Sequence, residues 1–261
     1  MPNWTFNDVK VETTEWLYNN KKEKKEAKRQ LDEFIKLSFT KMEEGDERSS
    51  NDIPRGKEPE RRRIFSFEGV VPMPKSMRIT SGSSTERGMA YIDWKENIKP
   101  SRIDKMLEWE WCKDEIDGRW NQTKKRDALC EIFKKDNDTW DNDLKEGRLA
   151  LENIEKYGVK DWYDWSNTYW GTKWDACNPQ IIDESLDKDS EWDEYFIHFS
   201  FDTAWCPPYA YLEALTKMFP LIRVTCSVEE ESEAFIGNII GQWGQLADNT
   251  TDVNYPSRED E

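Results

Sequence analysis

Histidine is almost missing from this sequence, with His198 alone among 261 residues. A site built on several histidines, for a metal or for proton relay, has nothing to draw on. Cysteine is little better supplied: Cys112, Cys130, Cys177, Cys206 and Cys226 form an odd set without a CxxC pair. Disulfide scaffolds and zinc clusters fit poorly, and neither a metal nor a cofactor is expected. No apolar run approaches the roughly 20 residues that cross a bilayer. The start, Met1-Pro2-Asn3-Trp4, lacks the basic and apolar regions of a signal peptide. A cytoplasmic location with no membrane partner is the expectation.

Acid and tryptophan are what the chain has in excess. Its net charge is −16, its mean hydropathy −0.98, and 35% of its residues are charged. Residues 1–99 hold 20 Lys or Arg against 18 Asp or Glu, whereas residues 100–261 hold 18 against 36. A surface of that sign repels phosphate backbones, which argues against direct nucleic-acid binding. It attracts basic partners, or serves only to keep the protein dissolved. Fourteen tryptophans in so hydrophilic a chain must belong to a core, an interface or a ligand site.

Local patterns set out the architecture. Trp4 to Val11 mixes β-formers with polar residues and predicts a strand. Helix-formers fill Lys21 to Glu44, with Leu31, Phe34, Ile35, Ser38 and Met42 near helical spacing. Pro54, Gly56, Pro59 and alternating charge mark a loop at 45–63. Ile64 to Val71 predicts a second strand, and Ser81-Gly82-Ser83-Ser84 a turn. From Ser101 to Tyr157 apolar residues such as Ile103, Met106, Leu129, Phe133, Leu144 and Leu151 recur at helical spacing, as in an inserted three-helix bundle. Tyr195 to Thr203 alternates, with Tyr195, Ile197, Phe199 and Phe201 on one face and Phe196, His198, Ser200 and Asp202 on the other. A helix follows Pro207-Pro208 and ends at Pro220, then Ile222 to Glu229 and Phe235 to Trp243 read as strands. The predicted class is α+β, an antiparallel sheet with helices on one face and a helical insertion. Residues 1–99 supply its first half, 100–157 the insertion, 158–247 the second half and 248–261 an acidic, frayed tail. The strands at 3–11, 64–70, 195–203 and 222–229 are expected in one sheet.

Four blocks carry a family resemblance. They are Met1-Pro2-Asn3-Trp4, Val71-Pro72-Met73-Pro74, the run Tyr157 to Trp165 continued by Trp170-Gly171-Thr172-Lys173-Trp174-Asp175-Ala176, and Phe201 to Pro208. In this order they resemble the YubB-type ferredoxin-like family, relatives of Api-type phage proteins. Phe219-Pro220 and the Glu229 to Gly237 segment extend the likeness to about half the chain. The resemblance implies a ferredoxin-like domain and an origin in bacteriophages or conjugative plasmids, and brings no catalytic residues. Thr5 stands where the family commonly has cysteine, and Ser166-Asn167 where a basic residue is common.

Two candidate sites emerge. The first is a groove of Trp170, Thr172, Lys173, Trp174, Asp175, His198, Asp202 and Trp205, in which Gly171 allows a tight turn and Lys173 lies on an indole or pairs with Asp175 or Asp202. The alternative is a loop pinned over the sheet by its tryptophans, with Asp202 or Thr203 capping the next helix. His198, Ser200 and Asp202 do not make a relay, because residues two apart on a strand are separated by about 7 Å. Cys206 has no neighbour that would activate a thiol. Glu229, Glu230, Glu231 and Glu233 read as a solvated acidic turn before a cation site. No catalytic residue is expected. The second candidate is Asp136, Asp138, Trp140, Asp141 and Asp143, carboxylates imitating a row of phosphates around an aromatic anchor. With the mobile-element resemblance, it points to a counter-defence inhibitor that fills the basic nucleic-acid groove of a host defence protein. A small-ligand protein or enzyme using the first groove is the alternative.

Overall fold

A computed structural model describes residues 3–13, 20–41, 63–96, 98–99, 101–135, 139–186, 195–232 and 234–252. In chain order the elements begin with β1 (Trp4–Thr13), α1 (Lys21–Ser38), β2 (Phe39–Lys41) and β3 (Arg63–Phe65). Helices follow: α2 (Ser83–Lys95), α3 (Ser101–Met106), α4 (Glu110–Glu115), α5 (Gln122–Lys135), α6 (Trp140–Tyr157) and α7 (Trp162–Trp165). The chain closes with β4 (Cys177–Ser185), β5 (Tyr195–Ala204), α8 (Tyr209–Met218), β6 (Arg223–Glu230), β7 (Phe235–Gln242), β8 (Gln245–Asp248) and β9 (Thr251–Asp252). They form two compact units, Met1–Pro72 with Ser166–Glu261, and Met73–Trp165. Among the described residues no helix is long and apolar enough to cross a membrane.

The first unit is a sheet of order β4-β5-β1-β6-β7-β8, with β9 also on β7 and every pairing antiparallel. Helices α1 and α8 connect the inner strands in the split βαβ manner, which makes the domain ferredoxin-like. Asn20 starts α1 by accepting the amides of Lys22 and Glu23, both at 3.0 Å. Leu31, Phe34, Ile35 and Ser38 are buried at the spacing read from the sequence, and the helix stops where Phe39 and Thr40 favour an extended backbone. On β1 and β5 the odd-numbered residues are buried and the even-numbered ones are not, apart from the terminal Ala204. Phenylalanines occupy the covered side. Phe34 reaches Phe199 at 6.4 Å between ring centroids, Phe65 reaches Phe199 at 4.6 Å, and Phe67 reaches Tyr211 of α8 at 4.4 Å.

The strand expected at 64–70 is not in this sheet. Only Arg63–Phe65 is extended, and it pairs with β2 in a separate two-stranded ribbon. Asp175 explains the break: its carboxylate accepts the Ser66 hydroxyl at 2.5 Å and the Phe67 amide at 2.7 Å, and Phe67–Gly69 coils into a 3-10 turn. The sheet instead gains β4, an edge strand that carries Pro179 and two register shifts. Both features suit an edge, where a missing donor costs nothing. Of the tail expected to fray from 248, Asp248 ends β8 and Thr251–Asp252 form β9, and residues 253–261 lie outside the described residues. The loop at 45–63 lies outside the described residues except for Arg63, as does Met42.

The helical unit is wider than the predicted 100–157, because α2 belongs to it and the expected turn at 81–84 already contains the helix start. Helices α2 and α6 meet at two glycines. A Cβ on Gly88 would lie 1.9 Å from the Asp143 carbonyl oxygen, and one on Gly147 would lie 2.4 Å from the Gly88 carbonyl carbon. Met89 of α2, next to Gly88, clusters with Ala150 of α6 and with Ile79, and in the same unit Ala90, Ile103, Met106, Leu129 and Phe133 form a second apolar core.

Two substitutions test these cores by chemical denaturation. Phe65→Ala is expected to cost about 3 to 5 kcal/mol, with Phe65→Leu costing clearly less. Gly88→Ala is expected to lose at least about 1 to 3 kcal/mol, since the colliding atoms are backbone. A Gly88→Ala protein as stable as wild type would refute the close helix crossing.

Candidate functional site

Burying the odd-numbered faces of β1 and β5 leaves their even-numbered faces open. Cross-strand register assembles that face in rows. Phe6 sits between Asp202 of β5 and Glu229 of β6, and Glu229 is paired in turn with Ile236 of β7. One row further, Asp8 sits between Ser200 and Ser227, and Ser227 donates to Asn238 at 2.7 Å. Over these two rows lies a groove of about 510 Å³, lined by three carboxylates and by no Lys or Arg among the described residues. Phe6 and Ile236 are each 47% exposed.

The carboxylates of this groove differ in environment. Partial burial raises the pKa of Asp202, opposed by a hydrogen bond from Asn178 Nδ2 at 2.8 Å. Asp8 bonds His198 Nε2 at 2.8 Å, so the histidine is engaged across β1. Glu229 makes no ion pair or side-chain hydrogen bond among the described residues. Its neighbours are occupied: Glu231 accepts the Trp4 amide at 2.9 Å, and buried Glu230 accepts the amides of Ser232 and Ala234. Among the described residues no three His, Cys, Asp or Glu converge to hold a metal ion.

The residues of the first predicted groove are dispersed. Trp170 is buried, donates from Nε1 to the Val71 carbonyl at 2.9 Å and packs on Phe67. It closes a π-helical turn, Ser166–Trp170, after which Gly171 takes φ 81° and passes so near α8 that a Cβ would lie 3.0 Å from the Ala210 nitrogen. Thr172 is buried and donates to the Ala204 carbonyl at 3.1 Å. Asp175 holds the Ser66 turn. Lys173 lies over the Trp174 ring at 4.6 Å, and Trp174 meets Trp4 at 6.0 Å between centroids. Trp205 is 55% exposed with φ 76°. Of the eight, only Asp202 lines the groove, and His198 touches it through Asp8. Neither Asp202 nor Thr203 caps α8, which starts after Pro208 without a side-chain cap; the Thr203 hydroxyl accepts from Asn7 Nδ2 and donates to the Cys206 carbonyl. Burial raises the Cys206 pKa, so its thiol is poorly placed to act as a thiolate.

The second predicted site requires correction at Asp143. Asp143 is fully buried and takes both Nε and Nη2 of Arg87, at 3.0 and 2.8 Å, so it presents nothing to a partner. Trp140 is half-buried, edge-on to Tyr91 at 5.1 Å. Asp141 is exposed in the first turn of α6, where the helix dipole already favours an acid. Asp136 and Asp138 lie outside the described residues. Charge agrees with this picture. Residues 73–165 carry 18 basic and 20 acidic side chains, while residues 166–261 carry 5 and 19.

Phe6, Asp8, Glu229, Ile236 and Asn238 join the site only in the structure. The alternation of β1 and β5 could have flagged Phe6 and Asp8. Ile236 and Asn238 join only through the register of β7 on β6.

Residues 184–259 match the family model described as the ferredoxin-like domain in Api92-like protein. The ferredoxin-like reading of this stretch thus rests on family match and strand order together. No curated protein matches the sequence. Among solved structures, the crystal structure of a protein api92 from Yersinia pseudotuberculosis is similar, at 11% identity over 98% of this chain and 99% of that one, with a TM-score of 0.35.

Because its folded pKa is raised, Asp202 is more easily protonated in the folded chain than in the unfolded one. Its contribution to stability is complete below its ordinary value of 3.8 and is lost as pH rises through the raised value. Asp202→Asn is therefore expected to be more stable than wild type near neutral pH, the gap closing by about pH 3 to 4 in urea denaturation. A gap that widens on acidification would contradict the burial effect.

Proposed function

We propose that this protein is a non-enzymatic binding module that takes a basic protein on the open face of its ferredoxin-like sheet. The observation that carries the reading is the groove itself, an apolar floor of Phe6 and Ile236 under Asp8, Asp202 and Glu229 without a compensating cation in its lining. Exposed aromatic and aliphatic side chains ringed by charge are characteristic of interaction sites rather than of plain solvated surface. The sign of the charge selects a partner rich in Lys and Arg, and disfavours nucleic acid as the direct ligand. In the phage or plasmid setting that the family resemblance implies, such a module would act as a counter-defence inhibitor in the bacterial cytoplasm. It would cover the nucleic-acid groove of a host defence protein with carboxylates and aromatics. The small-ligand alternative gains no support, since the residues on which it rested are dispersed.

Capture of partners from a bacterial lysate at low and high salt tests this, followed by competition with DNA or RNA. The expected partner is basic, is released by salt and is displaced by nucleic acid. Neutralising Asp8, Asp202 and Glu229 together should slow association about tenfold or more at low salt, with the effect shrinking as the Debye length falls to about 8 Å. Asp141→Lys should leave binding unchanged. A partner that is acidic, or whose binding ignores both salt and these three substitutions, would overturn the proposal.

A further inference from the structure

We infer that the groove over Phe6 is a receptor for one arginine side chain, whose guanidinium lies on the Phe6 ring between Asp202 and Glu229. The inference rests on the proposed basic partner and names the group of that partner which the groove reads.

Three aromatic rings along this side of the sheet show a pattern. Phe196 of β5 is covered by Lys10 at 4.6 Å, and Trp174, which meets Trp4 at the start of β1, is covered by Lys173 at 4.6 Å. Phe6 has neither a cation nor a ring partner among the described residues, although it stands on the same strand face as Lys10. Its direct neighbours across both strands are carboxylates, Asp202 on one side and Glu229 on the other. Those two residues are separated by two strand spacings, about 9 to 10 Å, with the ring between them. A cation over that ring meets the π-face from above and opposite charge laterally.

Shape decides which cation. A guanidinium is planar, stacks on an aromatic face and presents donors on both edges, whereas an ammonium is a compact, strongly hydrated point charge. The carboxylates of Asp202 and Glu229 belong to strands on opposite sides of Phe6, so a flat fork with donors on both edges can reach both, whereas a point charge satisfies one side at a time. Ile236, exposed beside Glu229, provides an apolar wall for the methylene stem of an arginine. The Ser227 hydroxyl donates to Asn238 Oδ1 at 2.7 Å, and the charged acceptors of the groove are its three carboxylates.

Titration of the full chain with N-acetyl-arginine amide and, separately, N-acetyl-lysine amide, followed by amide chemical shifts, tests the inference. The arginine probe should shift the amides of Phe6, Asp202, Glu229 and Ile236 and bind about threefold or more tighter than the lysine probe. Phe6→Leu and Glu229→Gln should each weaken it about threefold or more without lowering the melting temperature, since both positions are exposed. Equal affinity for the two probes, shifts scattered over the surface, or variants that bind like wild type would overturn the inference. Failure here is separable from failure of the proposed function. A captured basic protein that binds Phe6→Leu and Glu229→Gln as tightly as wild type sinks the arginine site alone. Arginine-selective shifts with no basic protein captured support the site and sink the partner reading.

Discussion

Phe65 touches Phe34, Phe39, Phe67, Phe199, Phe201 and Tyr211, with ring centroids 4.6 to 6.5 Å away. These rings come from α1, β2, β3, β5, α8 and the turn after β3, so a single aromatic cluster ties most of the first unit together. It also decides what the other side of the sheet shows. Side chains alternate along a strand, and with Phe199 and Phe201 committed to the cluster, His198, Ser200 and Asp202 must point away from it. A one-residue slip of β5 would put Asp202 into the phenylalanines and expose two rings, so register is strongly fixed. The open face is a consequence of the packed one.

How much of this the amino-acid sequence discloses depends on whether the determining interaction is local. The alternation of Tyr195 to Thr203 and of Ile222 to Glu229, and the helical spacing of Leu31, Phe34 and Ile35, assign β5, β6 and the body of α1 correctly, whereas the helix expected to reach Glu44 ends at Ser38 and β2 follows. These elements each bury one face, and a period records that. Strand β4 is an edge with mixed exposure, Pro179 and two bulges, and therefore leaves little periodic trace. Ile64 to Val71 looks like one strand, but Asp175, more than 100 residues later, takes the Phe67 amide and ends it after Phe65. Asp143 reads as a surface acid at helical spacing until Gly88 and Gly147 bring α2 against α6 and Arg87 onto its carboxylate. Of the groove, Asp202 and the outward face of β5 are legible. The apolar floor is not, because Phe6 and Ile236 are brought together only by the pairing of β6 with both their strands.

Acidity alone is a poor guide to a binding surface, since many described carboxylates are committed elsewhere: Glu26, Asp104, Asp127 and Glu213 pair with cations, and two further groups serve the fold. Asp175, Glu230 and Glu231 accept backbone amides and hold turns or chain ends. Asp143 and Asp93 are buried against Arg87 and Arg102 within the helical unit, and burial raises the pKa of Asp93 despite the arginine beside it. Removing either partner of such a pair leaves an uncompensated buried charge, so these residues serve the fold. Glu229, Asp202 and Asp8 belong to neither group: none accepts a backbone amide, and they stand beside exposed apolar surface.

That last group raises a question of cost. Carboxylates flanking one another across a strand repel, and an aromatic ring left half in water forgoes part of the roughly 1.5 to 3 kcal/mol that its full burial would yield. Folding does not demand either feature on an outward position, where Thr or Lys would suit the strand equally well. On the same face Lys10 shows the economical arrangement, covering Phe196 and pairing with Glu12 at 2.8 Å. Phe6, four residues earlier on the same face, has carboxylates on both sides and no cation over its ring among the described residues. In the proposed complex a partner's cation would reduce both costs, because it would offset the repulsion and cover the ring in one step. On the proposed reading, the liabilities of this outward position are offset in the complex and not by the fold.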